Sequence, residues 1–177
     1  MPHSDRFILS RLPSPLGPML AASDAGGALV ALDWEDHAPR LNHLLRLQHG
    51  SETSLSEGAA PEAVRRALAD YFDGALTALD ALPVATRGTA FQRQVWAALR
   101  QIPAGTTLSY GALALRIGRQ AAVRAVGAAN GANPVSIVVP CHRVIGSDAS
   151  LTGYGGGIER KRWLLEHEGV LARATAA

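Results

Sequence analysis

The chain changes character once, between Leu82 and Gly88, and any fold it adopts must respect that break. Before it, short apolar runs are separated by turn residues. After it, apolar residues recur at helical intervals. The charge reverses at the same place: residues 1–83 carry six arginines against eleven acids, and residues 84–177 carry eleven Lys and Arg against four acids. The net charge of +2 conceals this division. The pattern predicts an α+β fold: a small N-terminal α/β domain at 1–83, a linker at 84–88, and a mainly helical C-terminal domain at 89–177 with a helix-turn-helix and a wing-like loop.

In the first part, Phe7-Ile8-Leu9, Met19-Leu20-Ala21 and Ala28-Leu29-Val30-Ala31-Leu32 read as strands, with a turn at Ser14–Pro18 and a reversal at Asp24–Gly27 that makes a hairpin. The run Phe7–Leu9 is too short for a secretory leader or a membrane span, and no other segment approaches that length, so no membrane association is expected. Residues 36–60 read as polar and irregular. Their histidines, His37, His43 and His49, recur every six residues, which suits neither helix nor strand, and they read as surface side chains. Pro61 then opens a helix whose apolar stripe, Val64, Leu68, Tyr71 and Phe72, ends at Gly74.

In the second part, Thr89 and Gln92 form a capping box for a helix with Phe91, Val95, Trp96 and Leu99 on its inner face. Ser109 caps a second helix over Tyr110–Ile117, closed by Gly118, and a third runs from Gln120 to Ala129, closed by Asn130-Gly131. Two short helices about a glycine-containing turn are the helix-turn-helix pattern. Between Val84 and Ser147 there are seven arginines and no Asp or Glu, a footprint that suits a polyanion. The third helix is almost entirely Ala, Val and Gly. A helix reading base edges in the major groove carries several long polar side chains, whereas this one offers only Arg124. Small residues permit close approach to a narrow minor groove, with Arg124 free to enter the base stack or hold phosphates; tight packing in a core is the alternative.

The sole cysteine, Cys141, follows the apolar run Val135–Val139 and precedes His142 and Arg143. One thiol excludes an intrachain disulfide framework and a multi-thiolate zinc site, and makes the cytoplasm the default compartment. A thiol reacts as thiolate, so a nucleophile needs a cation or base to lower its pKa from ~8.5. His142 and Arg143 are candidates, His142 acting through a bridging water because adjacent side chains diverge. Glu168, which shares a face of the helix over Ile158–His167 with Lys161, Leu164 and Leu165, is the candidate orienting acid. The loop Leu151–Gly157 lacks phosphate-loop and dinucleotide spacing and suits backbone approach to a planar ligand beside Tyr154. On residue type alone, Cys141 is either a nucleophile or a buried small hydrophobe.

Taken together, Ser109-Tyr110-Gly111, Arg124-Ala125-Val126-Gly127, Asn133-Pro134, Pro140-Cys141-His142-Arg143-Val144-Ile145-Gly146, Thr152-Gly153-Tyr154 and Trp163–Gly169 resemble the O6-alkylguanine-DNA alkyltransferases. The resemblance spans residues 91–169 and extends loosely to Ser14-Pro15-Leu16-Gly17 and Tyr71–Gly74. It implies DNA repair by irreversible, once-per-molecule transfer of a methyl or other alkyl group from O6 of guanine, with O4 of thymine a further target, to Cys141 after base flipping. In that scheme His142 is the base, oriented by Glu168, and Tyr110 is the donor that offsets charge on the leaving guanine. Asn133 is the hinge, and Val144, Tyr154 and Gly155 meet the base. Arg124 replaces the extruded nucleotide within a DNA-binding face that includes Gly111, Arg119, Ala125, Gly127 and Ser147. The resemblance implies no cofactor and no metal, a partner in double-stranded DNA carrying O6-alkylguanine, and a monomer with cooperative binding along DNA left open. Two other readings carry different tests: a non-reacting lesion sensor, which the presence of Cys141 opposes, and a Cys-His hydrolase, for which the acid-free basic segment has no use.

Overall fold

The computed structural model describes residues 5–172. The chain divides into two compact units: one comprises the chain up to Thr89 together with Pro134–Val138, the other Ala90–Asn133 with the chain from Val139 onward. The class is α+β, as the sequence pattern predicts.

The first unit is built on a four-stranded sheet of order β3-β2-β1-β4, with β1 at Arg6–Leu12, β2 at Met19–Ser23, β3 at Leu29–Trp34 and β4 at Ser54–Glu57. Strands β1, β2 and β3 form an antiparallel meander, and β4 returns parallel to β1. That parallel return needs a crossover, and helix α1, Ala38–His49, lies within it. Leu41 and Leu45 of α1 join Phe7, Ala22, Val30 and Ala31 in one apolar cluster, each side chain worth about 1.5–3 kcal/mol when fully buried if large. Every residue of β3 is buried although it ends the sheet order. Its outer edge is covered by parallel bridges, Leu29 to Val84 and Leu32 to Val135, which satisfy backbone groups that an open edge would expose. Helix α2, Glu62–Phe72, buries Val64, Leu68 and Tyr71 as its stripe predicts, with Pro61 at its N-cap.

The segment read as polar and irregular is therefore largely ordered, through α1 and β4. His49 also departs from the surface reading: its ring packs edge-on against Phe7 with centroids 4.8 Å apart, and Nδ1 lies 3.1 Å from Asp5. His43 is exposed and His37 half-buried.

The second unit packs α3, Ala90–Leu99, against α5, Val123–Gly131, with α4, Tyr110–Arg116, beside both. Val95, Trp96 and Leu99 face inward as predicted, and the Trp96 indole donates to the Ala129 carbonyl at 2.8 Å. Ser109 caps α4 by accepting from the Ala112 amide at 3.0 Å. Gly118, at φ 70°, lets the chain leave α4 in a conformation that a side chain disfavours. The helical turn at Gln120–Ala122 is 3₁₀, so α5 begins three residues later than the sequence suggests and continues through Asn130 and Gly131. Helix α5 buries Val126, Ala129 and Asn130 and exposes Val123, Arg124, Ala125 and Ala128, so its small residues are not simply core filler. Two short strands, β5 at Leu108–Ser109 and β6 at Val144–Ile145, pair in parallel. This fixes the start of α4 beside the end of the Cys141–Arg143 turn. Helix α6, Ile158–His167, closes the unit, burying Lys161, Leu164 and Leu165. Among the described residues no helix is long and apolar enough to cross a membrane.

Candidate active site

After α5 the chain runs through Pro134–Val138 and returns to the second unit at Val139. Asn133 ties the ends of that excursion together. Its Nδ2 donates to the Val139 carbonyl at 2.7 Å and lies 3.2 Å from Cys141 Sγ. Pro140, at φ −82° and ψ 65°, makes a tight three-residue turn closed by the Cys141 amide on the Val139 carbonyl, 2.8 Å. The 3₁₀ turn Cys141–Arg143 follows. Cys141 is only 5 % exposed, yet it lines a cavity of about 570 Å³.

His142 and Glu168 are fully buried and joined, Nε2 to Oε1, at 2.8 Å. Glu168 sits at the C-cap of α6, where a carboxylate opposes the helix dipole and needs compensating charge. Arg143 supplies it with a two-pronged pair, Nε to Oε2 at 3.0 Å and Nη2 to Oε1 at 2.8 Å, and its Nη1 donates to the Ile102 carbonyl at 2.7 Å. Arg143 is therefore committed to Glu168, which corrects its reading as a source of charge for the thiol.

Burial alone would raise the Glu168 pKa, but the bonds and charge from the His142 and Arg143 side hold it well below the ordinary carboxylate range. Burial lowers the His142 pKa, against the pull of Glu168. A fully charged His142 cannot underlie both directions. We assign an ionised Glu168 secured by the permanent charge of Arg143, and a neutral resting His142. Neutral His142 then carries its proton on Nε2, donated to Glu168, and its Nδ1 is the basic nitrogen. Nδ1 is buried and meets no protein donor among the described residues.

Tyr110, Arg124, Gly127, Tyr154 and Gly155 line the same cavity as Cys141. The Tyr110 and Thr152 hydroxyls lie 3.1 Å apart, and the Tyr154 ring stands edge-on to His142 at 6.5 Å. Asn133, His142 and Glu168 form the buried layer behind the thiol. Val144 is buried and does not line the cavity; its carbonyl accepts from Lys161. Gly111, Arg119, Ala125 and Ser147 are exposed and lie outside the lining.

Three residues of the site escaped the sequence reading. Lys161, 0 % exposed, donates to the Val144 and Thr152 carbonyls at 2.6 and 2.9 Å, joining the strand after the Cys141 turn to the cavity loop. Burial lowers its pKa to about 8, opposed by the attraction of Cys141. Its signal was present: it is the chain's one lysine, placed on an apolar helix face. Thr152 gave no comparable signal. Asn130 looked like a helix terminator but lies within α5, lines the cavity, and donates to the Cys141 carbonyl at 3.4 Å. Among the described residues no group of three His, Cys, Asp or Glu is arranged to hold a metal.

A thiol and a tyrosine hydroxyl thus line one cavity, with a buried imidazole, carboxylate and guanidinium cluster behind the thiol. The family profile described as "6-O-methylguanine DNA methyltransferase, DNA binding domain" matches residues 90–170. The methylated-DNA–protein-cysteine methyltransferase of Salmonella typhimurium is 50 % identical over 167 residues, covering 94 % of this chain and 98 % of that protein. That of Mycobacterium tuberculosis is 47 % identical over 160 residues, 88 % of each chain. The crystal structure of Mycobacterium tuberculosis OGT in complex with DNA superposes with a TM-score of 0.78 at 43 % identity, covering 91 % of this chain and 92 % of that one.

Proposed function

We infer the function from kinship and geometry together: the chain belongs to the methylated-DNA–protein-cysteine methyltransferase family. It is a DNA repair protein that binds DNA and transfers an alkyl group from O6 of guanine to a cysteine of its own. One observation carries the assignment of the acceptor. The chain has a single cysteine, and that cysteine lines the cavity.

In the mechanism we propose, the Cys141 thiol passes its proton through a water to His142 Nδ1, and Glu168 steadies the resulting imidazolium. The Asn133 amide, 3.2 Å from Sγ, favours the thiolate. Sulfur attacks the alkyl carbon in line as the bond from that carbon to O6 breaks. The departing guanine carries the electron pair and takes one proton, with the Tyr110 hydroxyl as the donor that meets its developing charge. The product is a thioether on Cys141 and an intact guanine. A thioether has no leaving group that this site could expel, so each molecule acts once.

A thiol 5 % exposed cannot reach an O6 alkyl group inside a stacked duplex, so the base must be turned out into the cavity. Arg124, exposed on the cavity rim, supports a role in filling the vacated stack. Exposed Gly111, Arg119, Ala125 and Ser147 and half-buried Gly127 are assigned to the DNA face around it, with small residues allowing close approach and Arg119 and Ser147 meeting phosphates. Gly155 is assigned to the base through its backbone and Tyr154 through its ring, whereas Val144, off the cavity with its N–H on the Cys141 carbonyl and its own carbonyl on Lys161, is not given that role. The substrate is double-stranded DNA carrying O6-alkylguanine, with O4-alkylthymine a further target. We take the acting species to be a monomer, and a reactive thiol that must stay reduced supports a cytoplasmic setting.

The test is stoichiometry. With a duplex containing O6-methylguanine in excess, repaired lesions should plateau at one per chain, and Cys141→Ala should repair none. Continued turnover would instead support a hydrolytic enzyme, and tight binding without repair a lesion sensor.

A further inference from the structure

Thr152 stands beside the hydroxyl that the proposed chemistry uses. Its Oγ1 lies 3.1 Å from the Tyr110 hydroxyl oxygen, and both residues line the cavity. Both are also held to one reference point, Val144. Tyr110 opens α4 directly after Ser109, and the strand Leu108–Ser109 is paired with Val144–Ile145. Thr152 is tethered through Lys161, whose buried ammonium donates to the Thr152 and Val144 carbonyls together. Helix α5 confines the Tyr110 ring, since a Cβ at Gly127 would stand only 3.8 Å from it. The framework of the unit therefore sets the hydroxyl pair, although Thr152 itself is exposed and followed by Gly153.

A phenol has one hydrogen to give and can also accept, and a threonine hydroxyl has the same choice. If Tyr110 gave its hydrogen to Thr152, none would be left for the departing guanine. We propose that Thr152 is a positioning residue: it donates to the Tyr110 oxygen and so reserves the phenol hydrogen for the leaving base. The bond also bears on the rate. As charge builds on the departing guanine, Tyr110 shares its hydrogen more fully and its oxygen becomes more negative, so the hydrogen bond from Thr152 strengthens in the transition state. An interaction stronger there than in the ground state speeds transfer. Thr152 acts on the reaction only through Tyr110. The proposal rests on the reading of Tyr110 as the donor to the leaving base.

The experiment is a double-mutant cycle on the full-length protein, read as the single-turnover rate of methyl transfer from a saturating duplex that contains O6-methylguanine. Thr152→Val keeps the shape, removes the hydroxyl and should slow transfer on the order of 3- to 10-fold. Thr152→Ser should restore most of the rate. In a Tyr110→Phe background the same valine change should have no further effect, because the oxygen that Thr152 bonds is gone. Thr152→Ala takes its place in the cycle if the valine variant loses its thermal midpoint. Transfer at the wild-type rate without the Thr152 hydroxyl, or an equal loss with and without the Tyr110 hydroxyl, overturns the proposal. Tyr110→Phe at the wild-type rate would overturn it together with the donor reading, and absence of transfer to wild-type protein would overturn the proposed function itself, so the failures are told apart.

Discussion

At Asn133 two bonds from one amide set both the shape and the chemistry of the site. Nδ2 holds the Val139 carbonyl and sits 3.2 Å from Sγ. Asn133→Leu removes both bonds and leaves the buried Val139 carbonyl to the Cys141 amide, so we expect a stability loss of about 0.5–1.5 kcal/mol in denaturant titration. Transfer should slow on the order of 10-fold, because the thiolate loses its donor. A variant of wild-type rate would remove Asn133 from thiol activation. Glu168→Gln leaves Arg143 buried without its carboxylate and should be harsher, about 3–5 kcal/mol. Arg124 is a different case, exposed on the cavity rim and assigned to duplex opening alone. Arg124→Ala should therefore slow repair of duplex DNA far more than reaction with the free base O6-benzylguanine, and equal losses would end its role in flipping. Residue type made Cys141, His142 and Glu168 legible because a thiol, an imidazole and a misplaced carboxylate are each rare and each need partners. Asn130 was not legible, since an Asn-Gly pair signals a helix end, and only the observed path of α5 through both residues shows otherwise.

At the scale of elements, α6 serves the site twice, presenting Glu168 at its C-cap and Lys161 from its buried face. The Lys161 charge should ease thiol ionisation, because its attraction to Cys141, which partly offsets the burial that lowers the lysine's pKa, acts on both groups. In Lys161→Met we expect the pH profile of Cys141 alkylation by a haloacetamide to move to higher pH. An unmoved profile would leave Lys161 with only its bonds to the Val144 and Thr152 carbonyls. The helices after Thr89 were readable because caps and apolar stripes repeat locally, as Ser109 and Val95-Trp96-Leu99 show. Helix α1 was not. Its buried face is only Leu41, Leu44 and Leu45, its composition is polar elsewhere, and its stability comes from packing on β3 that no local pattern records. Strand β4 is equally short of apolar residues and owes its order to parallel pairing with β1.

Across the whole molecule, charge and proton binding decide how the protein responds to its surroundings. The acid-free arginine run overstated the field that DNA would meet: Arg87 pairs with Asp5 and Arg143 is buried on Glu168, whereas Arg93, Arg116, Arg119 and Arg124 are exposed. Arg119→Ala should therefore reduce the slope of log affinity against log salt by about 0.9 if it meets one phosphate, and an unchanged slope would take Arg119 off the interface. Acid should destabilise the fold in order. The His142 pKa lies below 6.5 in the folded state, so the unfolded chain gains its proton first and stability falls as pH drops below that value. Glu168, held below its ordinary 4.5, contributes stability that is present above 4.5 and is lost on further acidification. The thermal midpoint should decline from pH 6.5 downward, and a midpoint flat to pH 4 would contradict the buried His142–Glu168–Arg143 arrangement. Whether the alkyl group ends on the thiol at the cavity wall is read by peptide mass mapping after reaction with a duplex containing O6-methylguanine. One added methylene mass is expected on the peptide bearing Cys141 and on no other; a methyl group found elsewhere in the chain, or lost to water, would rule out Cys141 as the acceptor.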